Sequence, residues 1–318
     1  MMEKKMPVNK AEQKFFELLS RRKQKNPSKP LDKMTVDEFR ASSSLFLEFG
    51  GETENIVMEN VSILSRDGSE IPIRVFNSNI TTAGPILIMY PGGGYVMDTF
   101  EANAIACSRI AKYSGMKVIL INYRLAPENP LPISIFDALD ATIYISTHAD
   151  QFKLDPTKMF IGGFSAGAHC AAVISTITQA DVHPKIYHQI LLNGAYDATL
   201  NKRDYAEYES QDLMVSREGT GYIYRLWNLT ETDIRSPMYS PYYATNTGKL
   251  PKTSIVVAEF DGMRSDSELY YQKLKTNGCQ VSKIVLPGQC HHTIILRGAI
   301  TDGEDPAKVI AKIFMRES

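Results

Sequence analysis

The chain has 318 residues, 43% of them hydrophobic and 22% charged, with 35 basic against 36 acidic side chains and a formal net charge of −1. Such a length buries a sizeable core, as one large domain or two modest ones. The even charge balance, with a sequence pI near 6.6, provides no field that would draw nucleic acid or an anionic membrane surface. A mean hydropathy of −0.20 and the lack of any long uninterrupted apolar run argue against a membrane span, so a soluble globular protein is expected.

The four cysteines, Cys107, Cys170, Cys279 and Cys290, show no C-x-x-C spacing and are too sparse for a disulfide scaffold. Free thiols in a reducing compartment are the expectation. The first residues carry lysines but no apolar segment of signal-peptide type, which makes a cytoplasmic location the default and leaves signal-independent export open. Self-association into a homo-oligomer is not readable from the sequence.

In chain order, residues 10–24 and 33–48 have the apolar spacing of amphipathic helices, separated by the turn NPSKP. Two strand-like runs, 56–65 and 70–76, follow, joined by Arg66-Asp67-Gly68, which has hairpin-turn chemistry. From residue 85 the pattern changes to buried apolar strands at 85–90, 117–123, 158–164, 188–193, 254–260 and 279–286. Helical segments at 100–114, 134–149, 166–178, 266–277 and 305–316 alternate with them. That alternation predicts an α/β fold whose mostly parallel sheet carries helices on both faces. Residues 195–248 break the rhythm, being polar and tyrosine-rich and holding the single tryptophan, Trp227. A long insertion of this kind predicts a lid or binding surface. Residues 51–194 and 249–318 are then the core, with 1–50 and 195–248 as a helical cap.

Gly163-Phe164-Ser165-Ala166-Gly167 matches G-x-S-x-G and falls where a strand ends and a helix opens. A serine there is forced onto a sharp turn with its hydroxyl exposed. Serine is a weak nucleophile at neutral pH, so it needs a base, and the base needs an orienting acid. In sheets of this kind the order is Ser, then Asp or Glu, then His. Of the six histidines, only His291 and His292 follow both Ser165 and a later strand-end acid. His169, one helical turn beyond Ser165, should point away from it and be structural. Asp261 directly follows the apolar strand SIVVAEF, at the end where ligands gather in α/β sheets. Asp266 looks like a helix N-cap, and Glu259 lies within the strand. Pro91-Gly92-Gly93-Gly94-Tyr95 lets backbone N–H groups approach a developing oxyanion closely. It has neither the G-K-[ST] of a phosphate loop nor dinucleotide-binding spacing. No clustered His/Cys set suggests a metal, and no cofactor is called for.

The stretches PGGGYV, NYRLAPE, GFSAGA, SPYY, FDGMRSD and CHHT together make the chain resemble the hormone-sensitive-lipase-like branch of the α/β-hydrolases, carboxylesterases with an HGGG loop. The resemblance runs from about residue 30 to 315. It implies an eight-stranded mixed sheet under a helical cap. It assigns Ser165 as nucleophile, Asp261 as acid and His291 as base, with His292 where the family usually has a small residue. The oxyanion donors would be the backbone N–H groups of Gly93, Gly94 and Ala166, while Arg124 and Glu128 would brace loops. Three positions depart from the family pattern: Pro91 replaces the loop histidine, Phe164 an acidic residue and Ala168 a glycine.

The expected function is serine-dependent hydrolysis of small or short-to-medium-chain acyl esters through an acyl-enzyme. The alternatives are a ligand-binding protein on a hydrolase scaffold, and acyl transfer or amide cleavage by the same triad. Cys290, beside His291, is read as a packed thiol rather than a reactive one.

Overall fold

The computed structural model describes residues 9–25, 29–77, 79–179, 184–199, 215–230 and 232–318. Its strands are β1 (Met58–Leu64), β2 (Glu70–Phe76), β3 (Gly84–Tyr90), β4 (Lys117–Ile121), β5 (Leu154–Phe164), β6 (His188–Leu192), β7 (Lys252–Phe260) and β8 (Val281–Cys290). They form one sheet in the order β1-β2-β4-β3-β5-β6-β7-β8. Only β2 runs against the rest; it pairs antiparallel with β1 and β4, and every other neighbouring pair is parallel. The β1–β2 hairpin closes where expected, with the Ser65 N–H donating to the Ser69 carbonyl at 2.9 Å and Gly68 at φ +83°.

Apolar residues alternate between the two faces of the sheet at the strand period of two. Ile86, Ile88, Ile119, Ile161, Leu191, Ile255 and Val257 point to one face. There they meet α5 (Ile133–Thr147), α7 (Ala166–Thr178) and α9 (Arg264–Thr276). Leu87, Met89, Val118, Leu120, Phe160, Ile190, Leu192 and Val256 point to the other, against α4 (Phe100–Ser114) and α10 (Pro306–Glu317). With both faces covered, the middle residues of the central strands are apolar toward either face, which is why they read as continuous runs rather than alternating ones.

The expected helix over 33–48 is broken. A 3₁₀ turn at Leu31–Lys33 precedes α2 (Val36–Ala41) and α3 (Ser44–Gly50). Thr35 and Glu38 form a reciprocal cap at the start of α2. The break falls at Ser42-Ser43-Ser44, whose hydroxyls donate back to the carbonyls of Phe39, Arg40 and Ala41 at 2.6, 2.7 and 2.8 Å. Such side-chain bonds compete with the helical ladder. A short helix, α6 (Ala149–Phe152), follows α5.

Strand β8 continues through Pro287 and Gly288 to Cys290, past the end expected at residue 286. It is an edge strand, where a residue without an N–H is tolerated. The Glu259 carboxylate takes up the Gly288 N–H at 2.9 Å, at the irregularity between β7 and β8. Asp266 is not an N-cap, since α9 already begins at Arg264. Its carboxylate instead accepts the Tyr196 N–H at 2.9 Å, tying the segment after β6 to α9.

Over the carboxyl ends of β3 and β5 lie α2, α3 and α8 (Arg217–Leu226). The last is the one α-helix among the described residues of the 195–248 stretch, which hold no strand. The Tyr222 hydroxyl donates to the Met34 carbonyl at 3.2 Å, and its ring sits 5.0 Å from that of Phe39. From the N-terminal side, α1 (Lys10–Lys25) packs Phe15 and Phe16 into the core. Among the described residues no helix is long and apolar enough to cross a membrane.

Candidate active site

Ser165 sits between β5 and α7 at φ +55° and ψ −116°, a backbone conformation that a residue with a Cβ rarely adopts. Its neighbours make the turn sterically feasible. A Cβ on Gly163 would lie 2.2 Å from the Gly167 carbonyl carbon, and one on Gly167 would lie 1.9 Å from the Tyr90 carbonyl oxygen. The Ser165 N–H donates to the Leu192 carbonyl of the next strand at 2.9 Å, which anchors the turn to β6.

The strand register brings the remaining partners together. Phe260, the last residue of β7, pairs with Cys290, the last of β8, so Asp261 and His291 leave two parallel neighbours side by side. His291 Nδ1 lies 2.8 Å from Asp261 Oδ2, and Nε2 lies 2.9 Å from Ser165 Oγ. Because a carboxylate only accepts, the proton belongs on Nδ1, which leaves Nε2 as acceptor for the serine hydroxyl. The other Asp261 oxygen accepts the Met263 N–H at 2.8 Å, which fixes the plane of the carboxylate.

Sequence reasoning missed Asn193, the first residue past β6. At φ +49° it donates from Nδ2 to the His291 carbonyl at 2.9 Å and accepts the Ala258 N–H at 2.8 Å. It thereby binds the His291 turn to β7. The one available signal was an asparagine at a strand's carboxyl end, a residue type that tolerates left-handed backbone.

Gly93 and Gly94 hold φ +101° and +65°, and a Cβ on either would strike Met97 or Ile223 atoms within 3 Å. Their N–H groups donate to no described residue, and Ala166, as the first residue of α7, has an N–H without an intrahelical acceptor. The loop is braced without a histidine. Thr99 Oγ1 donates to the Gly92 carbonyl at 2.9 Å, and Asn103 Oδ1 accepts the Gly92 N–H at 3.2 Å. The Tyr123 hydroxyl donates to the Pro91 carbonyl at 2.5 Å, and the Trp227 indole to the Gly94 carbonyl at 2.7 Å. Thr99, Asn103 and Trp227 had no motif to mark them as loop braces.

The other singled-out residues have clear places. Glu128 pairs with Arg40, which also donates to the Val96 and Ala126 carbonyls, and Arg124 pairs with Asp137 and Asp67. His169 turns away from Ser165: Nε2 meets the Tyr239 carbonyl and Nδ1 the Tyr95 hydroxyl. Phe164 packs against His291 with ring centroids 5.0 Å apart, and Ala168 is buried within α7. His292 stacks on Phe46. Its Nδ1 has no hydrogen-bond partner among the described residues, and burial holds the imidazole well below its ordinary pKa, hence neutral. All four cysteines are free and buried, and burial raises the Cys290 thiol well above its usual range, so it stays protonated.

A cavity of about 180 Å³ opens over Ser165. Phe39, Leu45, Phe46, Met97, Phe164, Ile223, Tyr224, Trp227 and Ile295 line it, and no Asp, Glu, Lys or Arg is among its described lining residues.

A family model described as the alpha/beta hydrolase fold matches residues 87–295. The chain belongs to that family. All six stretches that carried the hormone-sensitive-lipase-like resemblance lie inside the matched span. Among relatives, this member of the α/β-hydrolase family is 24% identical over 286 residues to the ethyl acetate hydrolase of Pseudomonas putida, covering 87% of this chain and 88% of the relative. It is 29% identical over 227 residues to the carboxylic ester hydrolase LipN of Mycobacterium tuberculosis, covering 70% and 60%. A hyperthermophilic esterase from the archaeon Pyrobaculum calidifontis superposes with a TM-score of 0.87 at 25% identity, over 98% of this chain and 99% of the other.

Proposed function

We propose that this α/β-hydrolase is a serine carboxylic-ester hydrolase acting on small, uncharged esters of short to medium acyl length. The observation that carries the reading is the continuous hydrogen-bonded path from Ser165 Oγ through His291 to Asp261. As Ser165 Oγ attacks the ester carbonyl, its proton passes to His291 Nε2 and the carbonyl π electrons move onto oxygen. Asp261 holds the imidazole in the required tautomer and stabilises its positive charge. The N–H groups of Gly93, Gly94 and Ala166 face the developing oxyanion. Collapse of the tetrahedral adduct breaks the bond to the alkoxy oxygen, which leaves as the alcohol with the proton from Nε2. Water, deprotonated by the same nitrogen, then attacks the acyl-serine and releases the carboxylic acid and the free serine.

The cavity supports the substrate class. At about 180 Å³ it is small against the roughly 300–1,000 Å³ of sites that take drug-sized ligands. A charged acyl group would lose its hydration there without finding an ionic partner among the described lining residues. Segments α2, α3 and α8 act on this reading as the cap that supplies the apolar walls. The ligand-binding alternative drew on Pro91 alone, and the glycine loop has other braces.

The test is hydrolysis of p-nitrophenyl esters from acetate to palmitate, with the hemisuccinate included, by wild type and Ser165→Ala. Turnover should peak at short or medium chains and vanish in the variant. The hemisuccinate should have a kcat/KM at least about tenfold below the butyrate, since burying an unpaired charge is costly. No turnover of any ester by folded wild type would sink the proposal.

A further inference from the structure

Glu12 lies in the first turn of α1 and is wholly buried. Its Oε1 accepts the Cys290 N–H at 3.1 Å and the Thr293 hydroxyl at 2.6 Å, while Oε2 is buried with no partner among the described residues. Those two donors stand on either side of His291 and His292 in the chain, so one carboxylate oxygen spans the turn that presents the catalytic base to Ser165. The grip is reinforced within the turn, where the Cys290 N–H also approaches Thr293 Oγ1 at 3.2 Å.

The helix that delivers Glu12 is itself pinned to this corner of the molecule. Asn9 Oδ1 accepts the Ala11 N–H at 3.0 Å, and Asn9 Nδ2 donates to the Asp302 carbonyl at 3.0 Å. Phe15 and Phe16 anchor the next turn in the core. These hydrogen bonds and the Phe15 and Phe16 packing hold α1 without calling for an acid at position 12. A half-satisfied buried carboxyl is a costly choice, because taking the charged group out of water is repaid only by hydrogen bonds. Burial lifts the carboxyl to about 7, against the pull of the Thr293 and Cys290 hydrogen bonds.

We propose that Glu12 is a positioning residue for hydrolysis: from the N-terminal helix it sets the turn that holds His291 against Ser165. This rests on the esterase reading of the site. It makes the amino-terminal helix a contributor to the chemical step as well as to the core. Because the contact acts on the base and not on the substrate, its loss should lower kcat and leave KM nearly untouched.

The experiment compares Glu12→Leu, Glu12→Gln and Thr293→Val with wild type, well below the melting temperature of the least stable protein. Two readouts are taken: kcat and KM on a short p-nitrophenyl ester, and the second-order rate at which a fluorophosphonate labels Ser165. Glu12→Leu should lose about tenfold or more in kcat with KM within about twofold, as expected when a catalytic group is displaced by a fraction of an ångström. Its labelling rate should fall in parallel. Glu12→Gln, whose amide oxygen can accept both bonds, should recover most of the loss, and Thr293→Val should lose severalfold. If Glu12→Leu does not fold, the Thr293→Val and Glu12→Gln measurements still decide. Unchanged kcat in Thr293→Val or in folded Glu12→Leu overturns the inference, as does a Glu12→Gln enzyme no better than Glu12→Leu. Wild type that neither turns over nor labels would instead remove the esterase reading itself.

Discussion

At the scale of single residues, Glu12 also sets a dependence of stability on pH. Its carboxyl is raised from 4.5 to about 7 by burial, outweighing the hydrogen bonds from Thr293 and Cys290 and the charge of Arg297. Between those values the folded chain keeps a proton that the unfolded chain releases. The folded state therefore loses stability as pH rises from about 4.5 to about 7, and the loss is complete above that window. The shift corresponds to a penalty on the order of 3 kcal/mol. Glu12→Gln abolishes the titration while keeping an acceptor. The melting temperature of this variant should gain on that of wild type between about pH 5 and pH 8, as thermal melts at both would read. An equal difference at the two pH values would contradict the assignment. No pattern in the sequence marks this residue. Glu12 lies on an amphipathic stretch where an acid ordinarily faces water, and its burial comes from β8 and the turn beyond it, some 280 residues away in the chain. Ser165 is the opposite case, because two small glycines and a strand-to-helix change are local features that a sequence displays directly.

At the scale of elements, the glycine loop shows how a helix can hold a backbone segment in place. Thr99 precedes α4 and Asn103 lies in its first turn, and together they take the carbonyl and the N–H of Gly92. Asn103 Nδ2 also donates to the Thr99 carbonyl at 2.9 Å, so the clamp is closed on itself. Asn103→Ala should release the loop and misplace the Gly93 and Gly94 N–H groups that the proposed mechanism turns toward the oxyanion. The expected loss is about tenfold to a hundredfold in kcat, below or near the cost of deleting an oxyanion donor outright, with a small change in KM. Steady-state kinetics would check it, and an unchanged kcat would show that Tyr123 and Trp227 suffice. The same scale explains where elements were legible. The middle of each central strand is buried on both faces and so appears as a short apolar run. The end of β8 was not legible, since Pro287-Gly288 has the composition of a turn and only its edge position permits the strand to continue. The helix break at Ser42–Ser44 was hidden as well, because serine is tolerated within helices and the competing bonds to Phe39, Arg40 and Ala41 are matters of local geometry.

At the scale of the whole molecule, the site is a consequence of parallel register. Leu192 pairs with both Phe164 and Val256, and Phe260 pairs with Cys290, so the Ser165, Asp261 and His291 turns all emerge from the carboxyl edge of one four-strand stretch. Chain order and motif composition were enough to nominate Ser165, Asp261 and the pair His291 and His292, yet the choice between the two histidines needed either family resemblance or the structure. His292 follows one residue later and points to Phe46 instead of Ser165, which one-residue spacing in a turn cannot reveal. Asn193 and the apolar walls supplied by α2, α3 and α8 are likewise products of tertiary packing, where residues distant in the chain converge on a single cavity.

The central claim is that Ser165 is a nucleophile activated by His291, and intact-protein mass after exposure to a fluorophosphonate tests it most directly. Folded wild type should gain a single adduct, mapped by peptide sequencing to Ser165, while Ser165→Ala gains none and His291→Ala labels far more slowly. An unlabelled wild type, or an adduct on any other residue, would contradict the account.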